Sequence, residues 1–204
     1  MMLATGFIGV FFGVLLYGIV HSSLASFTAK KMAESWFHQA GRRFYRLFFN
    51  LVAVVTFLLL LGSILWLPDR QIYKISFPWV LLTLLIQGAA VFGLLYGLHQ
   101  TGLMNFLGLE QVLAPSSLDR PRRMTTSGLY AWVRHPLYTC GLLILWLTPV
   151  MSWNILAFNL GATIYITIGA AVFEERKLRQ EFGEVYTKYQ KRTPMLVPGF
   201  MKKK

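Results

Sequence analysis

The sequence predicts an all-α integral membrane protein: about five transmembrane helices, a tight hairpin between helices four and five, and a C-terminal amphipathic helix on the cytoplasmic side. Three observations carry this. Of 204 residues, 55% are hydrophobic and only 14% charged, a balance unlike that of soluble domains. The apolar residues gather in five runs free of Asp, Glu, Lys and Arg, each near the ~20 residues a helix needs to cross a bilayer. The net charge of +12 sits in the gaps between these runs. It therefore reads as membrane-flanking collars and not as a nucleic-acid surface.

Run one spans residues 1–24. It lacks a basic leading region, and its positive charges follow it, so it reads as an anchor rather than a cleavable signal peptide. Its GVFFGVLLYG stretch has no strand–turn–helix context and supplies small residues for helix packing. The first loop then carries Lys30, Lys31, Arg42, Arg43 and Arg46 against Glu34. Run two, residues 48–67, is followed by a loop with only Asp69, Arg70 and Lys74. Run three covers residues 77–98, and the long third loop holds Arg120, Arg122, Arg123 and Arg134 against Glu110 and Asp119. Runs four and five, residues 137–153 and 155–173, meet at 152–154 in the expected hairpin. The tail ends in three lysines, residues 202–204. Loops rich in Lys and Arg stay in the cytoplasm. The odd loops and the tail are therefore expected inside and the N-terminus outside, in a prokaryotic inner membrane. The whole chain, 1–204, is expected to be one membrane domain. Its residues 1–100 form three N-terminal spans, and 125–200 form a core that binds a cofactor. Cys140 is the lone cysteine, which excludes an internal disulfide and a cysteine-based metal cluster.

After run five, Leu178, Phe182, Val185, Tyr186 and Tyr189 recur at helical offsets and predict one apolar face. The other face holds Glu174, Glu175, Arg176, Lys177, Arg179, Lys188 and Lys191. Glu175 and Arg179 form a supportive i,i+4 pair there, worth a few tenths of a kcal/mol. Taken singly, each of these groups reads as an interfacial anchor, and Pro136 as a first-turn proline. Taken together they converge. A tight hairpin returns the chain to the side it left, so Arg134, His135 and Tyr138 come near Glu174 and Glu175.

GLYAWVRHPLYTCG, followed after the hairpin by EERKLRQEFGEVYTKYQKRTPMLVPG, resembles the isoprenylcysteine carboxyl methyltransferase family. Phospholipid N-methyltransferases are wider relatives. The likeness covers roughly residues 125–200 and consists of R-H-P-x-Y, a hairpin, E-E, then F-G-x-x-Y-x-x-Y and a proline-containing end. In the first half, YGIVHSSLAS and GRRFYRLFFNLVAV resemble the NnrU-type and methanethiol S-methyltransferase branch.

The resemblance implies S-adenosylmethionine as cofactor, bound at the cytoplasmic face of the last two spans. The acceptor it implies is a small thiol or an isoprenoid- or lipid-linked group. His135, Pro136, Tyr138, Glu174, Glu175, Tyr186 and Tyr189 become the candidate cofactor contacts, and Arg134 and His21 the candidate catalytic residues. The chemistry fits those types. A sulfonium is drawn to aromatic faces and carboxylates. An α-amino group wants Glu174 or Glu175. A carboxylate wants Arg134, His135 or backbone N–H groups at the start of span four. Tyr138, Tyr186, Tyr189 or Leu196 can line an adenine slot. A thiol must lose its proton, and His21, beside Ser22, is the candidate base. Alignment is the largest expected contribution, roughly 7–11 kcal/mol. Asn50, Gln87, Asn159 and Tyr165 within the runs are expected to bridge helices. No metal is expected. An alternative is a redox membrane component, with His21 and His99 as haem ligands. Sterol reductases share a related C-terminal region but are generally longer. Lipid bilayer is the expected surrounding, nucleic acid is not a partner, and the oligomeric state is open.

Overall fold

The computed structural model describes residues 2–116 and 124–199. Asp119, Arg120, Arg122, Arg123 and the lysines at 202–204, which the sequence assigns to the third loop and tail, lie outside the described residues. The chain divides into two compact units. One comprises Met1–Ile72, Gly102–Arg122 and Ser152–Gly161; the other comprises Tyr73–Thr101, Arg123–Met151 and Ala162–Lys204.

The first unit is built on α1 (Met2–Ala25) and α2 (Phe27–Trp66). α1 and the part of α2 from residue 47 to 66 are apolar around most of their circumference, so their outer faces suit lipid and only a narrow seam packs inward. That seam contains Val10, Val14 and Leu60, with Ala157 and Phe158 from the start of α7 (Trp153–Ile168). Gly161 lets α7 approach α1 closely, since a Cβ there would lie 2.9 Å from a Val14 methyl. Asn154 is fully buried and closes the end of α2. Its Nδ2 donates to the carbonyls of Ile64 (3.2 Å) and Leu67 (3.1 Å), and its backbone N–H donates to Asp69 Oδ1 at 3.0 Å. These carbonyls would otherwise be left open at a helix C-terminus. Two short helices, α4 (Leu103–Leu107) and α5 (Leu109–Leu113), are pinned to α2 by polar side chains. Asn50 donates to the Phe106 carbonyl (2.9 Å), Arg46 to Asn105 Oδ1 (2.8 Å), and Arg43 to the Val112 carbonyl.

The second unit packs α3 (Trp79–Thr101) on α6 (Pro136–Trp146). Gly93 and Gly97 open the seam, for a Cβ at these positions would lie 3.0 Å from the Cys140 sulfur and 2.8 Å from Leu137. Gln87 crosses it and donates to the Ile144 carbonyl at 2.7 Å, so this polar residue does bridge helices. After α7 comes a wide π-helical stretch, Gly169–Glu174, then α8 (Glu175–Phe182) and α9 (Glu184–Arg192). Two short strands, β1 (Gln71–Lys74) and β2 (Val150–Ser152), form a two-stranded ribbon.

Among the described residues four helices are long and apolar enough to cross a membrane: Gly6–Ala25, Phe27–Trp66, Trp79–Thr101 and Trp153–Phe182. The fourth predicted run is the exception. Its helix, α6, has 11 residues, about 16 Å of helix at 1.5 Å each. It stops at Trp146 because Pro149 follows shortly and a proline disfavours helix in the residue before it. The connection to α7 is accordingly residues 147–152, with β2 inside it, instead of a turn at 152–154. The C-terminal amphipathic segment also differs. It is two helices, because Gly183 adopts φ 57°, ψ −131° between them. Val185, expected on the apolar face, is 62% exposed, while Tyr186 is buried.

Candidate functional site

The site is assembled where α6 begins and α7 ends. Pro136 is the first residue of α6 and is buried. His135, before a proline, stays out of the helical region, with the φ such residues favour and an intermediate ψ (φ −123°, ψ 64°). The chain end crosses this point as a strap. Arg134 N–H donates to the Pro194 carbonyl (2.9 Å), His135 N–H to the Met195 carbonyl (3.1 Å), and the Thr139 hydroxyl to the Leu196 carbonyl (2.6 Å). The backbone N–H groups of Arg134 and His135 at the start of the predicted fourth span therefore serve the strap. Pro136 has none, and those of Tyr138 and Thr139 turn back to the His135 carbonyl.

The π-helical stretch, which ends at Glu174, shifts the helical phase just before Glu175. Glu175 turns inward as a result and is 3% exposed. Its Oε1 accepts from Arg134 Nε (2.8 Å), His135 Nε2 (2.9 Å) and the Tyr186 hydroxyl (2.9 Å), and its Oε2 accepts from Gln190. Arg134 Nη1 donates further to the carbonyls of Gln190 (3.2 Å) and Thr193 (2.5 Å). The expected Glu175–Arg179 surface pair gives way to this set, since charge-assisted bonds in a buried site outweigh an exposed helical pair. Tyr189 donates to the Tyr130 carbonyl at 2.5 Å and ties α9 to the approach to α6.

Glu174 is placed differently. Because Glu175 only accepts, the ring proton of a neutral His135 sits on Nε2, and Nδ1 presents a lone pair. That Nδ1 lies 3.6 Å from Glu174 Oε2. Glu174 Oε2 is buried and has no hydrogen-bond partner among the described residues, although the side chain as a whole is 41% exposed. Two acceptors thus aim at one spot, an arrangement that a cationic donor would satisfy. Aromatic rings stand around it. Tyr138 stacks on His135 with centroids 5.5 Å apart and a 19° interplanar angle, and the Glu174 carboxylate lies near its hydroxyl. Burial pushes the Tyr130 phenol up to about 12, and the negative charge of Glu174 adds to the effect. Burial likewise raises Tyr189 to about 12. Both phenols are neutral walls and hydrogen-bond donors at ordinary pH. The residues present fit the α-ammonium and sulfonium of S-adenosylmethionine: an unsatisfied buried carboxylate oxygen, a neighbouring ring nitrogen and aromatic faces.

Arg134, His135, Tyr138, Glu174, Glu175 and Tyr186 are therefore one cluster, with Tyr189 joined through Tyr130. His21 belongs to the other unit. There it is half-buried, with the Tyr17 hydroxyl 3.4 Å from Nδ1 and the Phe49 ring centroid 4.8 Å away. His99 is exposed in the last turn of α3. Gln190, Thr193 and Tyr130 were not singled out from sequence. Gln190 follows Tyr186 by four residues, which is the available signal that it shares a face with the cluster.

No family model matches the chain, and no solved structure matches it. Curated relatives do. The chain is 32% identical over 190 residues to methanethiol S-methyltransferase 1 of Bradyrhizobium diazoefficiens, covering 90% of this chain and 64% of that protein. It is 30% identical over 200 residues to methanethiol S-methyltransferase of Crocosphaera subtropica, covering 92% and 73%. It is 32% identical over 197 residues to methanethiol S-methyltransferase of Pseudomonas deceptionensis, covering 91% and 70%. The chain thus spans less than two thirds of the length of the first of these and somewhat more of the other two. With identity sustained over about nine tenths of its own length, the chain belongs to the methanethiol S-methyltransferase family.

Proposed function

We propose that the protein transfers a methyl group from S-adenosylmethionine to a small thiol of the methanethiol kind, in the second unit at the cytoplasmic face of a bacterial inner membrane. The observation that carries this is the pair of acceptors, Glu174 Oε2 and His135 Nδ1, facing one another 3.6 Å apart. The names of the relatives support the acceptor class. Lys30, Lys31, Arg42, Arg43 and Arg46 in the first loop support the sidedness, with the N-terminus outside.

When bound, S-adenosylmethionine supplies an electrophilic methyl group on a cationic sulfur. A thiol sulfur gains the new S–C bond, the old one breaks to a neutral thioether, and one proton is released. Glu174 and His135 accept hydrogen bonds from the ammonium end. Tyr130 and Tyr138 stand beside Glu174 and shield the charge from water. Glu175 is already satisfied by four donors, so its work is to hold His135 and Arg134 in place. Arg134, held by Glu175, by the Gln190 and Thr193 carbonyls and through its N–H by the strap, fixes the mouth of α6. Pro136, Tyr186 and Tyr189 set the same frame by packing and hydrogen bonding. The thiol proton leaves to a base, and among the residues named from the sequence His21 has the side-chain chemistry for that role. Alignment of the two sulfur centres is the larger contribution to rate.

The test is binding of S-adenosylhomocysteine to the purified protein by titration calorimetry. Binding by wild type, with marked weakening in Glu174→Gln, is expected. Wild-type protein that binds neither S-adenosylhomocysteine nor S-adenosylmethionine overturns the reading.

A further inference from the structure

One amphipathic element of the first unit plays no part in the proposed chemistry. At 40 residues, α2 would be about 60 Å long if straight, twice the hydrocarbon thickness. It is not straight. His38 has φ 49°, ψ −124°, and the helix breaks there. Ala33 and Gly41 are eight residues apart, about 12 Å along a straight helix. Yet a Cβ on Gly41 would lie 2.2 Å from the Ala33 carbonyl oxygen. Glu34 and Arg42, also eight apart, approach to 3.6 Å. The chain folds back on itself at His38, and residues 27–37 form a separate short helix. Ser26 caps its start, accepting from the Ala29 N–H at 3.1 Å.

This helix has two faces. Ala29, Met32, Ala33, Trp36 and Phe37 recur at the i, i+3, i+4, i+7, i+8 spacing of one stripe. Lys31, Glu34 and Ser35 lie on the other side, with Lys30 at its edge. The stripe is not covered: Trp36 is 68% exposed, Phe37 63% and Met32 44%. Its position along the chain indicates what covers it. The Tyr45 hydroxyl donates to the Leu24 carbonyl at 2.6 Å, so the helix departs from α1 level with the arginine-bearing turn of α2. That is where two apolar helices leave the hydrocarbon. In the stretch from residue 27 to 46 that makes the corner, five cations, Lys30, Lys31, Arg42, Arg43 and Arg46, stand with one carboxylate, Glu34. Large aromatic and thioether side chains on one face and basic ones on the other suit a bilayer interface with anionic headgroups.

We propose that residues 27–37 form an interfacial helix that seats Met32, Trp36 and Phe37 below the headgroups and sets Lys31 against anionic phospholipid. The partner is the lipid surface, not a second protein. Site-directed spin labelling of the full chain in nanodiscs tests this, in a Cys140→Ser background. A nitroxide placed through Trp36→Cys should be accessible to oxygen and shielded from a water-soluble nickel reagent. One placed through Lys31→Cys should show the reverse. Adding phosphatidylglycerol to phosphatidylcholine discs should move the position-36 label deeper. Met32→Cys gives an independent reading of the same face if Trp36→Cys folds poorly. Nickel accessibility at 36 and 32 equal to that at 31 overturns the proposal. So does shielding from both reagents, which would mean that protein covers the stripe.

Discussion

Glu174 and Glu175 are adjacent in sequence and do different work. Glu175 receives Arg134, His135, Tyr186 and Gln190, and its ion pair with Arg134 is nearly dry at 12% and 4% side-chain exposure. Glu175→Gln leaves a buried guanidinium without its counter-charge, a change that costs about 3–5 kcal/mol. Thermal unfolding in detergent should show a large drop for this variant. Glu174→Gln removes a half-exposed carboxylate with no described donor on Oε2, so unfolding should be little affected. Binding of S-adenosylhomocysteine should weaken, by roughly 10–100-fold for a lost charge-assisted bond of about 1.5–3 kcal/mol. The reverse pattern, with Glu174→Gln unstable and Glu175→Gln merely weak in binding, would exchange the two roles. Sequence alone marked both carboxylates and His135, because unusual polar groups beside apolar runs stand out. It did not separate the pair. Their difference arises from the helical phase shift at Gly169–Glu174, a feature with no local signature in residue type. It also paired Glu175 with Arg179, since offset four is visible in a sequence and a donor from 41 residues away is not.

At the scale of elements, charge-free runs mark membrane helices well, and α1, α3 and α7 lie where those runs predict. Breaks are less legible. Gly183 interrupts the C-terminal segment in a backbone region that side chains avoid (φ 57°, ψ −131°). Gly183→Ala should therefore cost about 1–3 kcal/mol and loosen Tyr186 and Gln190 from Glu175. The checks are a lowered unfolding midpoint and weaker cofactor binding in the same variant. The strap offers a gentler probe. Thr139→Val removes one bond, to the Leu196 carbonyl at 2.6 Å, worth about 0.5–1.5 kcal/mol. Stability should fall by that amount in denaturant titrations, while the Glu175 cluster persists. The bend at His38 was invisible in composition because a positive φ at a non-glycine residue and the approach of Ala33 to Gly41 that goes with it appear only after folding.

At the scale of the molecule, the membrane class follows from bulk composition and so was readable at once. Among the described residues four helices meet the length needed to span and α6 is shorter, but the Ile75 N–H donates to the Pro149 carbonyl at 2.8 Å, so the chain after α6 reaches the level where α3 begins and makes the crossing that the proposed orientation needs. The proposed orientation makes a separate claim: a C-terminal green fluorescent protein fusion should fluoresce in bacterial cells, and a C-terminal alkaline phosphatase fusion should be inactive. Active phosphatase there would invert the topology. The proposed acceptor is the least legible property in the sequence, because a small thiol leaves no charge pattern of its own; the names of the relatives support it. The most direct measurement is therefore transfer itself. Purified protein in nanodiscs is given methanethiol and methyl-labelled S-adenosylmethionine, and the headspace is analysed for labelled dimethyl sulfide. Labelled product from wild type, greatly reduced in Glu174→Gln, is the expected result. Wild-type protein that binds S-adenosylhomocysteine yet forms no labelled dimethyl sulfide would contradict the account.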